Sequence, residues 1–291
     1  MKTRKLAERF LVDSGKDFRL KDFDPADTGH LKSKEHAAEA LQEGVAKTAD
    51  LQDRLYAQDN WALLLIFQAM DAAGKDGAIE HVMSGVNPQG CEVHSFKVPS
   101  EEELQHDFLW RTTRVLPERG HIGIFNRSYY EEVLVVRVHP ELLKTEKIPP
   151  SLDTNKIWDE RFEDICCFER HMERSGTVIR KFFLNVSKEE QKKRFLKRLE
   201  ESAKNWKFSV GDVRERQCWD DYQKAYEEMI CNTAKKHAPW YVVPADNKWF
   251  TRLVISSVIV DTLESLHLQY PKVDGERKKG LEAARKQLEK E

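Results

Sequence analysis

The segment Gln68–Gly77, QAMDAAGKDG, sets a lysine behind a glycine in a run of small and polar residues. It lies between an apolar run, WALLLIF over 61–67, and a stretch of helical composition over about 76–85. Strand, small-residue loop, Gly-Lys and helix, in that order, are the context in which backbone N–H groups wrap an anion and a helix N-terminus adds partial positive charge. Gly74 lets the backbone come close to such an anion, and Gly74 and Gly77 are both assigned to nucleotide contact. Lys75 brings a mobile full charge to a phosphoryl group in transfer. The run departs from G-x-x-x-x-G-K-[ST] in two places. Ala69 stands at the first glycine and Asp76 at the Ser/Thr that would ligate magnesium. Asp71 puts a second carboxylate inside the loop. Carboxylates beside a phosphate make sense only where a cation or donor group shares the site. Asp71 and Asp76 are therefore the expected ligands of Mg2+, with Mn2+ as the alternative.

A second cluster follows another apolar run. GHIGIF (120–125) leads into Asn126-Arg127-Ser128-Tyr129-Tyr130-Glu131-Glu132. In a parallel sheet, ligands bind at the C-terminal ends of strands. Arg127 can grip phosphate oxygens in bidentate fashion, and Asn126 can hold a water or a cation without adding charge. Arg127 could instead pair with Glu131 or Glu132 as structural glue. A third cluster is the basic stretch 187–207, SKEEQKKRFLKRLEESAKNWK, in which Lys193, Arg194, Lys197, Arg198 and Lys204 recur at three- and four-residue spacing. Such a face is either solvated or laid along an extended polyanion. In this position, after the fourth strand, it is also where a mobile lid closes over phosphates.

These clusters must be positioned by a sheet. Five apolar runs read as strands: 61–67, 91–98, 120–125, 177–186 and 240–243. Helical patterns occupy 33–58, 154–175, 187–203, 216–236 and 248–268, and a helix is also expected from Ser100, where Glu103 completes a capping box. That helix should turn Leu104, Phe108 and Leu109 inward. Alternation of this kind predicts an α/β fold: a P-loop kinase-like three-layer sandwich with a central parallel five-stranded sheet and a helical lid. Residues 1–32 read as an irregular lead-in and 33–270 as a single domain, with the lid over about 187–215. Residues 271–291 read as a charged tail.

The composition narrows the function. Across 291 residues the net charge is −2, which argues against general nucleic-acid coating and makes any anion site local. The apolar runs are too short for a bilayer, so no membrane partner is expected. MKTRKLAERFLVD lacks the apolar core of a secretory signal, and none of the five cysteines forms a C-x-x-C pair. Free thiols in a reducing, cytoplasmic setting are expected. No Ser/His/Asp or Cys/His constellation offers a nucleophile.

The runs QAMDAAGKDGAI, VNPQG, VHSFKVPSEEELQHDFLWR, GHIGIFNRSYYEEVLVVRVHPE and KNWKFSVGD resemble the second polyphosphate kinase family over roughly 35–270. The resemblance implies transfer of the terminal phosphate of inorganic polyphosphate to a nucleotide, directly and in line. Asp71, Lys75 and Asp76 match the family's Walker A positions, and Asn126-Arg127 its Walker B dipeptide, which is Asp-Arg in many members. The Asn form resembles the subgroup that accepts both AMP and ADP, where Glu131 sits at an acidic position. Arg137 is implied as a nucleotide contact, with the base under the lid. Arg180, Lys193, Arg194, Arg198 and Lys207 are implied as the polyphosphate-binding set. Adenine nucleotides are the expected acceptors, guanine nucleotides stay open, and a homo-oligomer, dimer or tetramer, is expected. Two rivals remain: an ATP-dependent nucleotide kinase of the same fold, and a nucleotide-gated regulator. The second is weakened because residues 247–250 read Asn-Lys-Trp-Phe and lack the Asp of N-K-x-D.

Overall fold

The computed structural model describes residues 3–29, 31, 34–152 and 155–291. Its centre is the strand β2 (Ala62–Gln68), in which every residue is buried. An apolar run without polar alternation is what a strand covered on both faces requires. Before it come α1 (Thr3–Glu8), β1 (Leu11–Val12) and α2 (Lys34–Gln58); after it come α3 (Lys75–Val82), β3 (Cys91–Ser95), α4 (Trp110–Thr113) and β4 (Ile122–Asn126). The chain continues through α5 (Val135–Val138), α6 (Ile157–Arg174), β5 (Thr177–Asn185), α7 (Lys188–Glu200), α8 (Val210–Gln217) and α9 (Trp219–Thr233). It ends with β6 (Trp240–Pro244), α10 (Lys248–Ser265) and the exposed α11 (Gly275–Leu288).

The sheet order is β1-β6-β5-β2-β4-β3. All five expected strands are present and parallel, and β1 adds an antiparallel sixth at the edge of β6. That strand escapes sequence reading because it is two residues long. Its neighbourhood is nevertheless core: Leu6, Phe10, Val12, Phe18 and Leu20 are buried, so the segment read as an irregular lead-in packs onto the domain.

Two adjacent residues of β5 reveal the three layers. Successive strand side chains point to opposite faces. Arg180 reaches Thr262 of α10, whereas Lys181 reaches Glu169 of α6 and the Thr233 carbonyl of α9. On the first face, α10 packs against α1, α2 and α3. The contact with α2 is close at Gly44, where a Cβ would stand 2.3 Å from the Ser256 hydroxyl. The long α2 thus spends one face on its own chain.

The helix expected from Ser100 is cut short. Ser100 and Glu103 do form the reciprocal cap, but only one turn follows, over Glu103–Gln105, before His106 turns extended. The Asp107 carboxylate then accepts from the Leu109 amide and starts a new turn toward α4. Leu104, Phe108 and Leu109 consequently stay half-buried. Among the described residues, no helix is long and apolar enough to cross a membrane.

Candidate active site

The strand register places the two predicted loops side by side. Phe67 pairs with Asn126, so β2 and β4 end together, and the Arg127 amide donates to the Phe67 carbonyl at 3.0 Å. From Gln68 the chain turns through Ala72, at φ 61°, and Gly74, at φ 103°, before α3 begins at Lys75. Gly74 sits in the left-handed region, where a side chain would be strained.

Lys75 is buried and its Nζ donates to the Ala69 carbonyl at 2.9 Å, folding back into the loop. Burial lowers its pKa and neighbouring Arg127 adds to this, while Asp71, Glu131 and Asp76 pull the other way. A largely buried ammonium at the cleft wall, near three carboxylates, is placed to exchange a backbone oxygen for a phosphate oxygen.

Asp76 Oδ1 accepts from Asn126 Nδ2 at 2.8 Å, and Asp71 Oδ1 accepts from Arg127 Nη2 at 3.1 Å. Arg127 Nη1 also lies 3.7 Å from Glu131, whose other oxygen accepts from Gln68 Nε2 at 3.1 Å. Arg127 therefore does pair with Glu131; Glu132 pairs instead with Arg161. Burial opposes the charge of Arg127, but Glu131 and Asp71 outweigh it and raise its pKa. Its backbone is in the left-handed region at φ 64°, an unfavourable place for a residue with a side chain.

Asp71, Gly74, Lys75, Asp76, Gly77, Asn126 and Arg127 line one cleft of about 700 Å³. From the basic stretch, Arg194, Lys197 and Arg198 also line it. The basic residues nonetheless separate by role. Arg194 is buried, and its guanidinium donates to the carbonyls of Ala72, Ala73, Ala245 and Asp246 and to Glu190. It clamps the loop to the end of β6. Arg198 lies 3.9 Å from Asp212 and faces the cleft, whereas Lys193 is 80% exposed beside Glu190. The Lys207 side chain lies outside the described residues.

Four expected contacts, Glu131, Arg137, Arg180 and Lys193, do not line the cleft. Arg137 pairs with Glu228 and lies over Trp158 and Phe162. Arg180 is mid-strand, donating to Thr262 and to the Ile179 carbonyl. In their place the cleft gains Lys97, Lys248, Arg252, Trp206 and Asp212. Lys97 lies just past the end of β3, and Lys248 and Arg252 open α10 just past β6. The strand-end rule applied to every strand would have found these three. Asp212 faces Asp71 from α8, and burial and then Asp71 raise its pKa.

Residues 31–271 match the family model described as polyphosphate kinase 2. The chain belongs to the polyphosphate kinase 2 family. It is 54% identical to the ADP-polyphosphate phosphotransferase of Rhodopseudomonas palustris, over 94% of this chain and 98% of the relative. It is 44% identical to the AMP/ADP-polyphosphate phosphotransferase of Meiothermus ruber, over 91% and 95%. Polyphosphate kinase 2 from Arthrobacter aurescens superposes with a TM-score of 0.87 at 39% identity, covering 96% of each chain.

This polyphosphate kinase 2 family member has a second cavity, of about 280 Å³, sharing Lys97, Val98 and Arg127 with the cleft. Its walls include Pro99, Leu104, Phe108, Val135 and Val136. Behind it, buried Arg161 donates to Glu132 at 3.3 Å and to Glu146. Burial, then Glu146, push the Glu132 carboxyl up to about 8 against the pull of Arg161 and Arg111. Glu132 therefore keeps a proton in the folded protein that the unfolded chain releases near its ordinary value of 4.5. The unfolded state binds fewer protons across that window, so this group's stabilisation is lost as pH rises toward 8. Glu132→Gln should flatten that decline, because the amide still accepts from Arg161. Melting curves taken across the window check this; parallel wild-type and variant profiles refute it.

Proposed function

We propose that this chain transfers the terminal phosphate of inorganic polyphosphate to AMP and ADP, giving ADP and ATP. The carrying observation is the meeting of Lys75, Arg127, Asp71 and Asp76 at one strand-end crevice that opens on a basic cleft. Polyphosphate lies along Lys97, Lys197, Arg198, Lys248 and Arg252. An anionic polymer needs such a wall, and the near-neutral whole protein makes it local. The acceptor's base and ribose enter the 280 Å³ cavity rather than the space beneath the lid, because its apolar walls suit a purine and it borders Arg127. The acceptor phosphate then meets Arg127.

Lys75 and Arg127 grip the moving phosphoryl group from two sides as charge spreads over its oxygens. Asp71 and Asp76 would hold a magnesium ion, or manganese as the alternative, which neutralises phosphate oxygens when bound. The donor set fits: the two carboxylates share the cleft, and magnesium commonly takes one or two carboxylates and completes its shell with water and phosphate. Among the described residues, no three His, Cys, Asp or Glu form a cage by themselves. Asn126 orients Asp76. Transfer is direct, and the reaction is reversible in principle.

Guanine nucleotides are a second acceptor class that the same cavity could take. A cytoplasmic setting is supported by five free thiols, and a dimer or tetramer is the proposed assembly. The test is a donor and acceptor assay with Mg2+ present. AMP and ADP are each incubated with long-chain polyphosphate or with ATP. New ADP and ATP should form from polyphosphate. Phosphorylation of AMP from ATP alone, with none from polyphosphate, would make the chain an ordinary nucleotide kinase.

A further inference from the structure

We infer that Glu169 and Lys181 are positioning residues for Arg127, acting through the hydroxyls of Tyr129 and Tyr130. The inference rests on the reading of Arg127 as a phosphate-gripping residue. Glu169 and Lys181 are fully buried and joined at 2.6 Å. The three protons of the ammonium go to Glu169 Oε2, to the Tyr130 hydroxyl at 2.9 Å and to the Thr233 carbonyl at 2.9 Å. The other carboxylate oxygen accepts from both hydroxyls, Tyr130 at 2.7 Å and Tyr129 at 3.0 Å. The network closes on itself, and Trp240 secures its edge by donating to the Thr233 hydroxyl at 2.9 Å.

The location matters as much as the bonding. Tyr129 and Tyr130 are the second and third residues after Arg127, and both are fully buried. Arg127 holds a left-handed backbone that its surroundings must impose. On one side its amide is tied to Phe67; on the other, the Ser128 hydroxyl accepts from the Tyr130 amide and the two rings run into the network. Neither α6 nor β5, which carry Glu169 and Lys181, contributes a residue to the cleft wall. Burying two charges costs desolvation, and an apolar pair of similar volume often stabilises a fold as well or better. What an apolar pair cannot do is fix two hydroxyls in direction. Burial, then Glu169, hold both tyrosines well above their ordinary pKa, so they stay donors.

The test replaces only the tether. Tyr129→Phe/Tyr130→Phe leaves Glu169, Lys181 and Thr233 in place. It should lower kcat for polyphosphate-dependent nucleotide phosphorylation on the order of tenfold to a hundredfold, the scale of a small misplacement at a reacting centre. The nucleotide KM should change less than kcat. In an Arg127→Ala background the same two substitutions should cause no further fall in the residual kcat. An unchanged kcat in the otherwise native enzyme overturns the inference, as does an equal fractional loss in the Arg127→Ala background, which would mark a general packing role. Arg127→Ala with native turnover would instead overturn the reading beneath it. If the double variant does not fold, Tyr129→Phe alone is read the same way, since Glu169 then keeps Tyr130 and Lys181.

Discussion

Lys75→Ala should lower turnover on the order of 10²–10³-fold while the protein remains folded, because a preorganised charge aimed at the reacting group is typically worth about 2.7–4 kcal/mol in the transition state. Three features of Lys75 support a value in that range. The side chain is buried, so its charge acts in a medium that screens poorly. It rests on a single backbone carbonyl, that of Ala69, so little is given up when it turns to a phosphate. It is also flanked by Asp71, Glu131 and Asp76, which oppose the lowering of its pKa by burial and by Arg127. The same features predict a mild effect on folding. Removing a desolvated ammonium relieves a cost, which offsets the lost attraction of Asp71, Glu131 and Asp76, and leaves the Ala69 carbonyl to rehydrate at an open cleft. Steady-state kinetics with polyphosphate and ADP, beside a melting curve, check both halves. Native turnover in a folded variant would refute the assignment of Lys75.

The core of this site is readable from the sequence because its elements are short-range. Seven consecutive buried residues, a loop of small residues and a helix start are contiguous, and parallel pairing brings a second strand end, Asn126-Arg127, alongside. What is hidden is the assignment of single cations. TVIRKFFLN carries Arg180 and Lys181 in a strand covered on both faces. There is no polar alternation to show which face each enters, and a charge in such a strand must find a partner from a distant helix. Arg180 found Thr262 and Lys181 found Glu169, and neither lines the cleft. Arg137 was likewise absorbed by Glu228 and two aromatic rings. In β1 the signal was too short to see, and in the turn after Ser100 the capping box was correct but Asp107 offered the chain a competing turn. Local chemistry was legible, and long-range pairing of charged side chains was not.

Arg194 gives the sharpest consequence of that distinction. On the sequence it belongs to one basic face with Lys193, Lys197 and Arg198, and its removal should then only weaken polyphosphate binding. In the fold it donates to four backbone carbonyls and a carboxylate, from a position that is 7% exposed. Two of those carbonyls, Ala72 and Ala73, are in the phosphate loop itself. Arg194→Ala leaves buried acceptors unpaired and should cost about 3 kcal/mol or more. For a domain of this size that is a melting temperature about 6–12 °C lower. Turnover should fall as well, since the loop loses the clamp that holds Gly74 and Lys75 in register. Arg198→Ala is the contrasting case. Its partner Asp212 is 3.9 Å away, and its side chain keeps 26% exposure toward the cleft. That variant should melt close to the native protein, raise the KM for polyphosphate and weaken the salt dependence of binding, because one fewer cation meets the chain. Differential scanning calorimetry and polyphosphate titrations of both variants separate the two roles. If Arg194→Ala melted like the native enzyme and differed only in its KM for polyphosphate, the guanidinium would belong to the channel, and the loop would owe its shape to Gly74 and to the Gln191 side chain, which donates to the Asp71 carbonyl at 3.0 Å.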